Sequence, residues 1–130
     1  MNITREQLLL YAVTDRSWLK GETLYEQVEK ALKGGVTLVQ LREKELSEPE
    51  FEAEGRSLLE LCHRYRVPLI INDNVELAER IGADGVHVGQ SDMELTRARE
   101  ILGTDKIIGV TAKTIEQAQA AEKAGADYLG

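Results

Sequence analysis

Two kinds of hydrophobic pattern alternate along this chain. Short apolar runs bounded by polar residues are typical of buried strands, and longer segments with apolar residues every three or four positions are typical of helices packed on a sheet. The apolar runs predict strands at 8–15, 36–44, 68–73, 84–90, 106–112 and 126–130. The amphipathic segments predict helices at 23–34, 47–66, 74–82, 93–103 and 114–125. Ser47 followed by Glu50 predicts a capping box at the start of the second helix.

Strict alternation of strands and helices predicts an α/β protein with a mostly parallel sheet. No linker or change in composition divides the 130 residues, so we expect one domain spanning 1–130. A doubly wound, flavodoxin-like sheet fits this length, whereas a (β/α)8 TIM barrel usually needs roughly 200 residues or more. Polar residues on the strands favour the barrel. Five βα units and a sixth strand would then be the N-terminal part of an incomplete eight-fold barrel.

The second predicted strand carries Gln40, Arg42 and Lys44 at every second position. Side chains alternate between the two faces of a strand, so these three polar residues share one face. Lysine and arginine are rarely buried without a partner. Either this is a solvated edge strand, or its polar face binds an anion near the C-terminal end of the strand.

Further polar residues lie where the neighbouring strands end. Asn72 and Asp73 end the third strand, Asp92 follows the fourth, and Thr111 ends the fifth. Parallel strands end on the same side of a sheet, so we expect these side chains to gather there. Two carboxylates suit Mg²⁺, and cations with an amide donor suit a diphosphate. The alternative for each aspartate is a cap on the helix that follows it.

No residue stands out as a general base or a nucleophile. His87 in the fourth strand is interpreted as a hydrogen-bonded structural histidine. The sequence contains no GxGxxG, P-loop, GxSxG or HExxH motif, so nothing in it supports a dinucleotide-binding, NTPase or serine-hydrolase function.

Composition adds limits on partners and location. The chain has 16 basic and 23 acidic residues, a formal net charge of −7, which argues against nucleic-acid and anionic-membrane partners. It also makes the local cations Arg16, Arg42 and Lys44 more notable as an anion site. The single cysteine, Cys62, falls in a helical run where we expect a core residue. Because it cannot form an internal disulfide, and neither a signal peptide nor a bilayer-spanning segment is predicted, we expect a cytoplasmic protein.

Five segments of the chain resemble, in order and spacing, the motifs of the thiamine phosphate synthase family: YAVTD, QLREK, LIINDNVELAERIGADGVHVGQSD, IIGVTAKT and AGADYLG. Family members are (β/α)8 barrels that join hydroxymethylpyrimidine diphosphate to thiazole phosphate, with release of pyrophosphate and help from Mg²⁺. The resemblance therefore implies a transferase of thiamine biosynthesis. It also implies that this chain is the N-terminal portion of such a barrel, with the pyrimidine and metal half of the site.

The resemblance assigns roles to particular residues. It implies contacts to the pyrimidine diphosphate from Gln40, Arg42, Lys44, Asn72 and Thr111, and Mg²⁺ ligation by Asp73 and Asp92. In the family mechanism the diphosphate leaves first, giving a cation stabilised by the aminopyrimidine ring, and the thiazole nitrogen then attacks. This chemistry requires neutralisation of the leaving group rather than a strong base. Lys113 departs from the family pattern, in which a histidine is common at this position.

Three other interpretations remain open at this stage. A thiazole tautomerase-like paralogue shares the barrel, although the pair Asp73 and Asp92 favours the synthase. A non-catalytic barrel fragment would have little synthase activity alone and would self-associate through its exposed strand edges. A receiver-like signalling domain needs an acidic pair after the first strand, where this chain offers only Asp15. For the leading interpretation we expect small-molecule substrates as partners, and neither nucleic acid nor a membrane.

Overall fold

Six parallel strands form one sheet in the computed structural model, which describes residues 2–130. The strands are β1 (Tyr11–Val13), β2 (Leu38–Leu41), β3 (Leu69–Asn72), β4 (Gly85–Val88), β5 (Ile107–Val110) and β6 (Tyr128–Leu129). The helices are α1 (Leu24–Lys33), α2 (Glu48–Arg64), α3 (Val75–Ile81), α4 (Leu95–Leu102) and α5 (Ile115–Lys123). Each strand pairs with its neighbour in the sequence, in the order β1-β2-β3-β4-β5-β6.

This strand order decides between the two predicted architectures. In a doubly wound sheet the order reverses at a switch point, whereas a (β/α) barrel keeps its strands in chain order. The barrel-type prediction is therefore confirmed, and the six strands form an open half-barrel. The flavodoxin-like alternative is excluded.

Apolar side chains pack on both faces of the sheet. The larger cluster lies between the outer face and the helices, and its sheet members include Val39, Leu41, Leu69, Ile71, Val86, Ile108 and Val110. A smaller cluster lies on the inner face near the N-terminal ends of the strands, and consists of Ile3, Leu38, Ile70 and Ile107 with Tyr11 and Tyr128 against it. Toward the C-terminal ends the inner face becomes polar, because Gln40, Asn72 and His87 continue the same side of their strands.

Strand β2 is shorter than predicted. It ends at Leu41, and Arg42 and Lys44 lie in the loop that follows. The backbone N–H of Arg42 donates to Thr14 Oγ1 at 2.9 Å instead of continuing the strand ladder. The prediction that these two cations belong to the strand is therefore wrong, although both stay at its C-terminal end.

Helix α2 shows the predicted local features. The Ser47 side chain accepts from the Glu50 N–H, and the Glu50 side chain accepts from the Ser47 N–H, so the capping box is confirmed. Cys62 on the same helix is fully buried in the outer cluster, as predicted for a core residue. Burial raises the pKa of its thiol to about 12. None of the helices within residues 2–130 has the length and hydrophobicity needed to cross a bilayer.

The N-terminal residues tie the two ends of the sheet together. Asn2 donates its backbone N–H to Asp127 Oδ1 at 2.7 Å, just before β6, although it precedes β1 in the chain. Its side-chain amide donates to the carbonyl oxygens of Thr104 and Lys106 at 2.7 and 2.9 Å. Ile3 packs into the inner apolar cluster. Residues 2–3 therefore form an N-terminal strap beneath the half-barrel.

Asp127 is the acceptor on which this strap depends. Its carboxylate also accepts from the Ile108 N–H at 2.8 Å and from Arg99 Nη2 at 2.9 Å, and the residue is buried. Burial alone would raise the pKa of Asp127, but the hydrogen bonds from Asn2, Ile108 and Arg99 outweigh it and hold the pKa below its ordinary value. A depressed pKa contributes stability above the ordinary range of an aspartate, and this contribution is lost as the pH falls through the folded-state value.

We predict that Asp127→Asn lowers the free energy of unfolding at pH 7 by about 2–4 kcal/mol, because it removes a charged acceptor from three buried or partly buried donors. The difference from the wild type should begin to shrink as the pH falls below about 4, where the carboxylate of the unfolded chain takes up a proton, and should be lost once the pH passes the lower folded-state pKa. Urea denaturation at neutral and acid pH measures both effects. Asp105→Asn, at an exposed position in the loop between α4 and β5, is the matched control. Equal stability of the two variants at pH 7 would contradict the role of Asp127.

Candidate active site

A cleft of about 440 Å³ opens at the C-terminal ends of the strands. Five of the seven residues that the sequence proposes as ligands line it: Lys44, Asn72, Asp73, Asp92 and Thr111. The remaining lining residues are His87, Gly89, Gln90, Ser91, Lys113 and Gln117. The expected gathering of polar strand ends therefore occurs, and it includes charges of both signs.

Lys44 reaches from the loop after β2 across to the end of β3. Its Nζ donates to Asp73 Oδ2 at 2.8 Å and to Asn72 Oδ1 at 3.3 Å. About half of the Lys44 side chain is exposed, so this ion pair contributes little to stability. The ion pair matters for placement, because it holds a half-exposed cation directly beside a carboxylate in the cleft.

Asp73 is held in place by its backbone. Its φ of 65° is in the left-handed region, which aspartate and asparagine tolerate better than most residues. Its N–H donates to the carbonyl oxygen of His87 at 2.9 Å, which fixes it against β4. The N-cap of α3 is Asn74, whose side chain accepts from the Leu77 N–H at 3.0 Å. Helix capping therefore does not explain Asp73, and its carboxylate faces the cleft.

Asp92 lies in the loop between β4 and α4. Its Oδ2 accepts from the Gly89 N–H at 2.7 Å, a local contact that orients the carboxylate. The residue at the N-cap of α4 is Glu94, which makes no side-chain capping bond. Asp92 is therefore not the cap of that helix, and it shares the cleft with Asp73.

The two carboxylates suit a particular kind of cation. Within residues 2–130 no group of three or more histidine, cysteine, aspartate or glutamate side chains is arranged to hold a metal ion. Asp73 and Asp92 would thus hold only a cation that takes its other ligands from water or from a bound anion. Mg²⁺ behaves in this way, since it usually binds one or two carboxylates together with phosphate oxygens and waters. The residues present therefore fit Mg²⁺ in company with a phosphate-bearing ligand.

Gln40 lies beneath the cleft rather than in its lining. Its side chain lies on the inner face of the sheet and is only 4% exposed. Its Oε1 accepts from Asn72 Nδ2 at 2.8 Å, and its Nε2 donates to the Tyr11 hydroxyl at 2.9 Å. Both ends of the amide are therefore engaged, and Gln40 supports the position of Asn72.

Two tyrosines that the sequence analysis did not single out complete this floor. The hydroxyl of Tyr11 on β1 lies 2.5 Å from that of Tyr128 on β6, and Tyr128 in turn lies 2.9 Å from His87 Nδ1. One feature of the sequence could have pointed to Tyr128: a glycine, Gly109, lies inside the neighbouring strand β5, directly opposite it. A Cβ at Gly109 would lie 2.0 Å from the Tyr128 ring, so only glycine leaves room for it. Glycine inside a strand is a known sign of such a close approach.

His87 has a partner for each ring nitrogen. Its Nε2 lies 2.8 Å from Thr111 Oγ1, opposite the contact of Nδ1 with Tyr128. Burial lowers the pKa of His87, although the charges of Asp73 and Asp92 act in the opposite direction. Burial raises the pKa of both tyrosines. The floor of the cleft is therefore a set of neutral, fully hydrogen-bonded side chains, consistent with a structural histidine.

Arg42 faces a separate hollow of about 210 Å³ beside the cleft, and Lys44 lines both. Arg16 also lines this hollow, but two carboxylates hold it. Its Nε donates to Glu43 Oε1 at 2.8 Å and its Nη2 to Glu54 Oε2 at 2.7 Å. Arg16 is therefore held by two carboxylates, whereas Lys44 pairs with one, Asp73, and Arg42 makes no ion pair among residues 2–130.

Glu43 lies in this hollow as a nearly buried carboxyl with a raised pKa. Its side chain is only 3% exposed. Burial raises the pKa of Glu43 to about 7, the neighbouring Glu54 adds to the rise, and Arg16 opposes it. A raised pKa means that Glu43 is protonated more readily than an exposed glutamate, which reduces the negative charge opposite Arg16.

The fold and the cleft define a barrel-type α/β protein with a polar cleft of mixed charge at the carboxyl ends of its strands. Comparison with known proteins agrees with this class. A family model described as thiamine monophosphate synthase matches residues 10–130. The chain therefore belongs to the thiamine monophosphate synthase family.

Individual relatives show how far the similarity extends. The chain is 58% identical over 121 residues to a thiamine-phosphate synthase of Clostridium acetobutylicum, covering 93% of this chain and 57% of the relative. It is 51% identical over 126 residues to the thiamine-phosphate synthase of Caldanaerobacter subterraneus subsp. tengcongensis, covering 97% of this chain and 59% of the relative. The solved structure of a thiamine phosphate pyrophosphorylase from Pyrococcus furiosus matches with a TM-score of 0.89 and 41% identity, covering 97% of this chain and 60% of that one. The chain thus spans somewhat more than half the length of these relatives.

Proposed function

We propose that this chain provides the pyrimidine-diphosphate and Mg²⁺ site of a thiamine phosphate synthase. In the proposed reaction hydroxymethylpyrimidine diphosphate and a thiazole phosphate form thiamine phosphate and pyrophosphate. The observation that carries this proposal is the convergence in one cleft of Lys44, two carboxylates, an amide and a hydroxyl at successive strand ends. The names of the similar proteins support the same activity.

A departing diphosphate requires positive charge and hydrogen-bond donors. Lys44 supplies a cation within the cleft, and Arg42 supplies a second one from the adjoining hollow. Asn72 and Thr111 place polar groups at the ends of β3 and β5. A direct contact between Gln40 and the pyrimidine stays a prediction, since Gln40 would have to exchange one of its present partners to make it.

Mg²⁺ held by Asp73 and Asp92 would supply further positive charge to the leaving group. Asp73 is already paired with Lys44, which opposes the binding of a metal ion alone. A diphosphate that attracts Lys44 leaves the charge of Asp73 available to the cation. We therefore expect the anion and Mg²⁺ to strengthen each other's binding, because linkage between two sites is reciprocal.

The same cleft offers no strong base, and the proposed substitution needs none. His87 is hydrogen-bonded on both ring nitrogens, and burial lowers its pKa. The chain's contribution to the chemistry is then electrostatic: Lys44 and Arg42 neutralise the leaving group while the neutral floor supports the residues that line the cleft.

Two further points stay predictions. The outer edges of the sheet carry exposed apolar side chains, Leu9, Leu10 and Val13 near β1 and Leu129 in β6, which would favour pairing with a second chain. A cytoplasmic location is expected because the single cysteine cannot form an internal disulfide, which suits a reducing compartment.

We predict that Asp73→Asn and Asp92→Asn each remove the Mg²⁺-dependent part of pyrophosphate binding, weakening it at least about tenfold, or ~1.4 kcal/mol. Each change keeps the side-chain shape and deletes one negative charge, and asparagine also tolerates the left-handed backbone of Asp73. Calorimetric titration of the 130-residue chain with pyrophosphate, with and without Mg²⁺, measures the effect. Asp105→Asn, outside the cleft, should bind as the wild type does. Unchanged Mg²⁺ dependence in both cleft variants would refute the metal assignment.

We predict that Lys44→Met has opposite effects on the two ligands. Loss of the ammonium group should weaken pyrophosphate binding in the presence of Mg²⁺ by about tenfold, or ~1.4 kcal/mol. Loss of the competing cation beside Asp73 should strengthen binding of Mn²⁺ alone, used in place of Mg²⁺ because free Mn²⁺ is measured by electron paramagnetic resonance.

Lys33→Met, at an exposed position on α1, serves as the control for this pair of measurements. A Lys44→Met chain that binds Mn²⁺ more weakly than the wild type would show that Lys44 supports the metal site instead of competing with it.

A further inference from the structure

Seven side chains form a continuous hydrogen-bond chain across the floor of the half-barrel. One member lies in the loop after β2 and one directly follows β5. The other five lie in the remaining strands, β1, β2, β3, β4 and β6. In order, its members are Lys44, Asn72, Gln40, Tyr11, Tyr128, His87 and Thr111. Because each link has a donor and an acceptor, the chain has a direction, and that direction decides which atoms carry protons.

The Lys44 end sets this direction. An ammonium group has three donors and no acceptor, so the atom of Asn72 that faces it must be the carbonyl oxygen, here at 3.3 Å. The amide nitrogen of Asn72 then donates to Gln40 Oε1 at 2.8 Å. The remaining end of Gln40, its amide nitrogen, donates to the hydroxyl oxygen of Tyr11 at 2.9 Å.

The two tyrosines continue the same order of donors and acceptors toward His87. The Tyr11 oxygen already accepts from Gln40, and the acceptor for its own proton is the Tyr128 hydroxyl at 2.5 Å. The Tyr128 proton is then free to point at His87 Nδ1, 2.9 Å away. In the reverse arrangement Tyr128 would donate to Tyr11, and the Tyr11 proton would have no acceptor. An unsatisfied donor in this partly buried setting is costly, and residues 2–130 offer the Tyr11 proton no acceptor besides the Tyr128 hydroxyl.

We propose that Tyr11 and Tyr128 are positioning residues that hold neutral His87 in the tautomer protonated at Nε2 and thereby aim the Thr111 hydroxyl proton into the cleft. With Nδ1 accepting from Tyr128, Nε2 carries the ring proton and donates to Thr111 Oγ1 at 2.8 Å. The Thr111 oxygen is thus an acceptor toward His87, and residues 2–130 offer no other acceptor for its proton.

This arrangement selects the kind of ligand group that Thr111 can bind. A hydroxyl that accepts from His87 presents its proton to the cleft, so it favours a ligand atom that accepts a hydrogen bond, such as a phosphate oxygen or an unprotonated ring nitrogen. A ligand group that can only donate is disfavoured at this point. The inference stands on the hydrogen-bond geometry and does not depend on the proposed function.

The two histidines of the chain make a direct test practicable. Histidine-labelled protein gives only His63 and His87 in long-range ¹H–¹⁵N spectra, which report the protonation of each ring nitrogen. His63 is exposed, with Nε2 at 2.8 Å from Asp84, and serves as the internal reference. At pH about 8, above the ordinary range of histidine titration, we expect His87 to be protonated at Nε2 and unprotonated at Nδ1.

Tyr128→Phe removes the donor to Nδ1 and keeps the ring over Gly109. We expect its His87 Nδ1 resonance to move and a measurable fraction of the Nδ1-protonated tautomer to appear, while His63 is unchanged. Tyr25→Phe, on α1 and hydrogen-bonded to Arg64, is the matched control and should leave His87 as in the wild type. A wild-type His87 protonated at Nδ1 would overturn the proposal, and this result needs no variant. An unchanged His87 tautomer in folded Tyr128→Phe would overturn the role of Tyr128.

Discussion

A polar side chain that is buried or partly buried on the inner face of a parallel sheet needs a hydrogen-bond partner, because water satisfies it only in part or not at all. The inner face of this half-barrel meets that requirement by linking its strands through side chains. Gln40, Tyr11, Tyr128 and His87 each bond to side chains of two other residues of the floor. The groups that face the cleft rest on this floor, so the position of the candidate site depends on the floor staying intact.

Above the floor the cleft brings together charges of both signs. Lys44 is paired with Asp73 and remains half exposed, so a charged ligand can replace either partner at low cost. Asp92 is oriented by a backbone N–H and not by a cation. The cleft therefore combines a cation, two carboxylates and an ion pair between Lys44 and Asp73, the groups on which the proposed binding of a diphosphate and Mg²⁺ rests. Family membership and the similarity to named thiamine-phosphate synthases are consistent with this combination.

Local patterns in the sequence predicted the elements and the location of the site, because burial alternates with period two in strands and near 3.6 in helices. They also placed Gln40 on the polar face of its strand and predicted the capping box of α2. The end of β2 was not predictable in this way, since it depends on a hydroxyl from Thr14, far away in the chain. The pairing of Arg16 was not predictable either, because its partners Glu43 and Glu54 lie 27 and 38 residues away in the sequence.

The tyrosine pair shows the same limit more clearly. Tyr11 and Tyr128 are separated by 117 residues, and only the curvature of the sheet brings their hydroxyls together. The residues around each tyrosine in the sequence give no sign of such a contact. Gly109 is the one local hint, because its lack of a side chain makes room for the Tyr128 ring.

The central claim is that the cleft binds the diphosphate of a pyrimidine substrate together with Mg²⁺. Titration of ¹⁵N-labelled chain with hydroxymethylpyrimidine diphosphate, followed by backbone amide shifts with and without Mg²⁺, tests it most directly. We expect Mg²⁺-dependent shifts confined to the loop after β2 and the ends of β3, β4 and β5, around Lys44, Asp73, Asp92 and Thr111. Shifts on another face of the sheet, or a folded chain whose spectrum does not respond in the presence of Mg²⁺, would contradict the assignment.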